Sequence, residues 1–203
     1  NNPSKLCDFN FKVLASFPNL ILEINHISIN RTSKVSTNIY GSINALNICA
    51  AATVASHIGV SFDDIKNAIE AFKPLYNRSS IISWKSRTVF LDAYNANPSS
   101  MTEFIKFIHN CPNQNKTVIL GAMEELGNSE FNEHKAIIDH LKGMPLSKII
   151  LVGEAFRPFL DSIQCEHYQF TEDVDQTSLL CSKSGPIFVK GSRKYKLESL
   201  FCR

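Results

Sequence analysis

The 203-residue sequence contains no G-x-x-x-x-G-K-[ST] loop, no G-x-G-x-x-G turn and no G-x-S-x-G elbow. A Walker-type phosphate cradle, a dinucleotide fingerprint and an α/β-hydrolase nucleophile are therefore excluded from this chain. The six cysteines (Cys7, Cys49, Cys111, Cys165, Cys181 and Cys202) show no C-x-x-C spacing. Several lie inside apolar runs, where a thiol acts as a small hydrophobe, and the expected setting is a reducing cytoplasm. No apolar run approaches the roughly 18 to 20 residues of a membrane span, and the opening NNPSKLCDF has neither a basic nor an apolar leader segment. No membrane association is expected. With 21 basic and 19 acidic residues the formal charge is only +2, too balanced for a nucleic-acid surface. Any anionic ligand must be held locally. The chain opens on Asn1 rather than Met, so it is expected to be a piece of a longer protein.

Hydrophobic residues make up 44% and charged residues 20%, as in an ordinary globular chain with a proper core. Residues 9 to 38 alternate apolar and polar positions in FKVLASF and LILEINHISI. Pro18-Asn19 and Asn30-Arg31-Thr32-Ser33 separate them, which predicts antiparallel strands. A small-residue helix follows over about Ile43 to His57 and ends at Gly59. Another starts at Ser61, with Asp64 three residues on as a capping-box-like signal; it sets Ile65, Ile69 and Phe72 on one face and stops at Pro74.

From about residue 80 strands and helices alternate. TVFLDAY precedes a helix over 98–110, KTVILGA one over 130–142, SKIILVG one over 154–163, HYQF one over 173–183, and PIFVKG a terminal helix. Such alternation predicts βαβ units: an α/β fold with a Rossmann-like, mostly parallel sheet and flanking helices. The boundary is expected near residues 74 to 80, giving domains 1–76 and 77–203.

Four polar constellations stand out, and each admits two readings. LDAYNANPSSM (91–101) falls at the carboxyl end of a strand, where open α/β sheets bind ligands. Asp92 suits vicinal hydroxyls, and Asn95 and Asn97 offer donors and acceptors. Asn97 equally suits a helix cap. VILGAMEELG (118–127) is either a second ligand-facing turn or a connection with a solvated acidic pair. His134 follows; its spacing to His140 is not a metal pattern. FVKGSR (188–193) brings Lys190, Ser192 and Arg193 to a strand end, suited to phosphate or carboxylate unless simply solvated. In GSINALN (41–47), Asn44 and Asn47 share a helix face. Their amides either read an adenine edge or cap a surface.

Together DAYNANPSSM, LGAMEELG with Ser129 and His134, and VKGSR resemble, in order and spacing, the carboxyl-terminal domain of the Mur ligases. The likeness is greatest to the members that join D-alanyl-D-alanine to a UDP-N-acetylmuramoyl-tripeptide. Upstream, YGSINALNICAAA resembles that family's G-x-H-N-x-x-N-x-x-A-A segment, and NRSS (77–80) its interdomain G-R-S turn. The resemblance covers about residues 36 to 200. Ile43, Asn77, Ala122 and Lys194 depart from it, standing where many members have His, Gly, Asp and Gly.

The resemblance implies ATP-dependent amide formation through an acyl phosphate, in cytoplasmic peptidoglycan precursor synthesis in bacteria. ATP and Mg2+ would be the cofactors. Residues 1–76 would be a strand-and-helix remnant of the central ATPase domain. Asn44 and Asn47 would lie near adenine, Asp92 at the ribose, Arg78 at the phosphates and Tyr94 along the cleft. Asn95 and Asn97 would meet the incoming peptide, and Lys190 and Arg193 would anchor a carboxylate or steady the wall. The family's phosphate loop, Mg2+ ligands and UDP-binding domain would lie upstream, so no catalytic or metal-ligating residue is assigned here and the chain alone is expected to be inactive. The alternative is a noncatalytic α/β module that binds a nucleotide or a partner.

Overall fold

The computed structural model describes residues 9–75, 77–181 and 185–201. The chain divides into two compact units, Asn1–Pro74 and Leu75–Arg203. Cys7, Cys202 and the end of the helix expected over 173–183 lie outside the described residues.

The first unit is an antiparallel sheet of β1 (Phe9–Ala15), β2 (Ile21–His26) and β3 (Arg31–Ser36) in that order, with α1 (Asn44–His57) and α2 (Phe62–Ala71) against it. Alternation does the work in β2: Leu22 and Ile24 are fully buried and join Phe9, Leu20, Val35, Ala52, Phe62 and Ile65 in one core. The β2–β3 turn falls over Ile27 to Asn30, three residues before the NRTS separator suggests, because Asn30 takes φ 51° and its N–H bonds Ile27 O at 3.2 Å. Asparagine tolerates that left-handed backbone, which releases Arg31–Ser33 to extend β3. Ser61 caps α2 as expected, accepting the Asp64 N–H at 3.1 Å. Phe72 is not on its apolar face: the helix ends at Ala71, and Phe72 is extended and exposed.

The second unit is a six-stranded sheet with β4 (Ser80–Trp84), β5 (Arg87–Asp92), β6 (Lys116–Gly121), β7 (Leu146–Val152), β8 (Glu166–Tyr168) and β9 (Ile187–Lys190) in the order β4-β5-β9-β6-β7-β8. All neighbours are parallel except β4, which pairs antiparallel with β5. Flanking helices are α3 (Pro98–His109), α4 (Glu130–Leu141) and the short α5 (Gln176–Cys181). The mostly parallel α/β architecture is as the sequence predicts.

Three details differ. The hairpin strand β4 was not expected; it turns through Lys85 and Ser86, both at positive φ, without the Gly or Asn that normally marks such a turn. The segment Glu154–Ser162 is 3-10 rather than α-helical, because Pro158 sits inside it and removes a backbone donor. The end of the chain, Leu197–Phe201, also winds as 3-10 helix.

The last strand, β9, occupies the middle of the sheet between β5 and β6, and all four of its residues are buried. Phe90, Phe104, Phe107 and Phe188 pack around it with ring centroids 5.0 to 6.4 Å apart. This topology delivers the ends of β5, β9 and β6 side by side at the carboxyl edge.

Candidate functional site

Parallel register opposes Asp92, the last residue of β5, to Lys190, the last residue of β9. The Lys190 side chain is only 2% exposed. Its ammonium donates to Asp92 Oδ2 at 2.6 Å and to the Asn95 carbonyl at 3.0 Å. A buried ammonium needs such partners to offset its lost hydration. Lys190 thus ties β9 to the turn after β5, and its charge is engaged within the protein. Asp92 Oδ1 faces the Ser79 N–H at 3.4 Å, and the Asp92 side chain is 23% exposed.

The segment before β4 is laced to the same edge. Ala93 N–H donates to Asn77 O at 3.0 Å and Arg78 N–H to Leu75 O at 2.9 Å, while the Ser80 hydroxyl donates to Leu75 O at 2.6 Å. Arg78 is thereby placed with its guanidinium carbon 3.5 Å from the Tyr94 ring centroid. The guanidinium carbon of Arg193 lies 5.5 Å from the same ring, and Arg193 N–H donates to Tyr94 O at 3.2 Å. Guanidinium groups at these distances are attracted by the ring quadrupole. The Tyr94 phenol is held below the ordinary tyrosine range, chiefly by Arg78 and then by Arg193. Among the described residues neither guanidinium is in an ion pair. Two exposed cations without carboxylates, set around one aromatic ring, have the chemistry to receive an anion.

The structure thus brings Arg78, Asp92, Tyr94, Asn95, Lys190 and Arg193 together. Asn95 itself is exposed. Asn97 begins α3: its Oδ1 accepts the Ser100 N–H at 2.9 Å and the Ser99 hydroxyl at 3.0 Å, completing a capping box. Only its amide hydrogens are left for a ligand. Asn44 and Asn47 belong to the first unit. Asn44 opens α1 and donates to Tyr40 O at 2.7 Å; Asn47 is exposed.

Two residues of this edge that the sequence marks, Glu124 and His134, have partners that it does not show. Glu124 is no solvated acid: its carboxylate accepts from Lys194 Nζ at 3.0 Å on both oxygens and from the Tyr195 hydroxyl at 2.9 Å. His134 is fully buried, accepting the Met123 N–H on Nε2 at 3.0 Å and bonding Glu130 O through Nδ1 at 2.8 Å. A basic residue three places after Gly191 and an acid three places after Gly121 are visible in the sequence. Their pairing depends on strand order, which adjacency in sequence does not carry. Among the described residues no group of three His, Cys, Asp or Glu side chains is placed to hold a metal ion, and no helix is long and apolar enough to cross a membrane.

Comparison with known proteins identifies the class. Residues 77–193, more than half the chain, match the family described as Mur ligase, glutamate ligase domain; the chain belongs to the Mur ligase family. Within it, the UDP-N-acetylmuramoyl-tripeptide--D-alanyl-D-alanine ligase of Treponema pallidum is 34% identical over 170 residues, covering 79% of this chain and 36% of that protein. A crystal structure of MurF from Acinetobacter baumannii is similar with a TM-score of 0.79 and 26% identity, covering 95% of this chain and 44% of that one. The MurF ligase of Thermotoga maritima, solved in complex with ADP, shares the fold with a TM-score of 0.78 at 20% identity over 95% of this chain and 45% of its own. The chain spans less than half the length of these relatives.

Proposed function

We propose that this chain is the carboxyl-terminal part of an ATP-dependent ligase that joins D-alanyl-D-alanine to UDP-N-acetylmuramoyl-tripeptide, in peptidoglycan precursor synthesis in the bacterial cytoplasm. Residues 1–76 are then the end of the central ATP-binding domain and residues 77–203 the carboxyl-terminal ligase domain. The names of the similar proteins support this reading. The observation that carries it is the pair of guanidiniums, Arg78 and Arg193, gathered on Tyr94 beside Asp92.

In such a reaction ATP phosphorylates the tripeptide carboxylate, and the dipeptide amine attacks the acyl phosphate with loss of inorganic phosphate. Catalysis then consists of positioning and of stabilising charge on the transferred phosphoryl group. The residues present fit that task. Arg78 and Arg193 supply fixed positive charge for phosphate oxygens, and Asp92 keeps one carboxylate oxygen toward Ser79, suited to a ribose hydroxyl. Lys190 steadies this wall by fixing Asp92 and the Asn95 carbonyl. Tyr94 carries the two arginines, Asn95 and the amide hydrogens of Asn97 meet the peptide, and Asn44 and Asn47 read the adenine edge. Among the described residues no cluster is placed to hold Mg2+.

The test is ADP release that depends on D-alanyl-D-alanine, assayed with this chain as part of its longer protein. Arg78→Ala should lower kcat by about 100-fold, as expected for the loss of one charge-stabilising donor. Unchanged turnover would remove Arg78 from the site. Nucleotide binding with no dipeptide-dependent release at all would favour a noncatalytic module.

A further inference from the structure

The turn after β6 and the turn after β9 are packed backbone against backbone. A Cβ on Gly191 would meet Gly121 Cα at 2.9 Å and Leu197 Cδ1 at 2.8 Å, so Gly191 is needed for the close approach. On this base the Glu124 carboxylate receives Lys194 Nζ on both oxygens and the Tyr195 hydroxyl. Glu124 is itself held from behind. The Ala122 N–H donates to Val152 O at 2.8 Å, and the neighbouring Met123 N–H donates to His134 Nε2 at 3.0 Å. An imidazole nitrogen that accepts from an amide carries no proton, so His134 is the neutral tautomer with its hydrogen on Nδ1, donated to Glu130 O.

The other end of the connection is the residue just before Lys194. Arg193 bonds the Tyr94 carbonyl through its N–H and faces the Tyr94 ring. Tyr195 is buried, and burial followed by the adjoining Glu124 raises its phenol far above the ordinary range, so it stays a donor. The links run in series: His134 fixes Met123, Glu124 fixes Lys194 and Tyr195, and Arg193 is fixed between them and Tyr94.

We propose that Glu124 is a positioning residue for the anion site, holding the turn after β9 where Arg193 faces Tyr94 and Arg78. This rests on the reading of Arg78 and Arg193 as the phosphate receptor. Of the two donors the Tyr195 hydroxyl, on a buried residue, carries more of the effect, because Lys194 is 60% exposed and solvent screens such pairs. An amide in place of the carboxylate keeps an acceptor for Tyr195.

Two measurements on the 203-residue chain test the proposal: hydrogen exchange at the Arg193 and Tyr195 amides, and titration with ADP. Glu124→Ala should speed that exchange and weaken ADP binding, each by about tenfold, the change that corresponds to one modest charged hydrogen bond. Glu124→Gln should restore most of both, and Lys194→Ala should change little. Unaltered exchange in Glu124→Ala overturns the proposal. So does faster exchange with ADP affinity intact while Arg193→Ala loses it. If Arg193→Ala also leaves ADP affinity unchanged, the phosphate-receptor reading fails and the proposal falls with it.

Discussion

Asp92 and Lys190 stand 98 positions apart in the chain and 2.6 Å apart in the fold. Their pairing gives Asp92 a structural duty in addition to the one proposed for it at the ribose. Removing one partner of a buried pair strands the other charge, which costs about 3 to 5 kcal/mol. Asp92→Ala should therefore destabilise the second unit by about 3 kcal/mol in denaturant unfolding. Asp92→Leu combined with Lys190→Met should recover most of that loss, since apolar replacement of both partners is close to neutral. A double variant no more stable than Asp92→Ala would mean the pair does not carry the cost. Activity lost in Asp92→Ala is consequently no proof of ribose contact unless the stability is measured beside it.

At the scale of elements, the parallel strands were legible because TVFL, TVIL, KIILV and PIFV are short β-branched runs between helical patterns, and burial on both faces of a parallel sheet demands such runs. The hydrogen-bond partners were not legible. Nothing local in PIFVKG says that the last strand inserts between β5 and β6, and that insertion is what gives Lys190 and Lys194 their carboxylates. Strand β4 was missed because Lys85 and Ser86 occupy positive-φ turn positions that glycine or asparagine usually marks. Asn97 was legible as a cap, since Asn-Pro-Ser opens α3 on local geometry alone.

Arg87 opens β5. It is 9% exposed and donates to Gly185 O at 2.6 Å, Leu179 O at 2.7 Å and Thr117 Oγ1 at 2.9 Å. The side chain thus joins β5 and β6 to the connection that leads into β9. Arg87→Ala removes three donated hydrogen bonds and should cost about 3 kcal/mol of unfolding free energy, measured by denaturant midpoint. Arg87→Lys, which cannot reach all three, should fall between. A loss below about 0.5 kcal/mol, the range of ordinary surface substitutions, would show that β9 is held in the sheet by packing alone.

For the molecule as a whole, near-neutral overall charge means that long-range attraction for a nucleotide is weak. Binding must come from charges fixed at one place. The carboxyl edge of the second unit meets that condition with two guanidiniums lacking ion-pair partners among the described residues, set on a tyrosine whose position the strand ends dictate. In the first unit, α1 carries exposed Leu46 and Val54 and no comparable charge.

The direct measurement is an ADP titration of the intact chain against the Arg78→Ala/Arg193→Ala double variant at low and at raised salt. Binding by the parent chain that weakens with salt, and falls at least about 100-fold in the double variant as expected for two charge-assisted contacts, is the predicted result. Equal ADP affinity in the two proteins would contradict the assignment of this edge as the phosphate receptor.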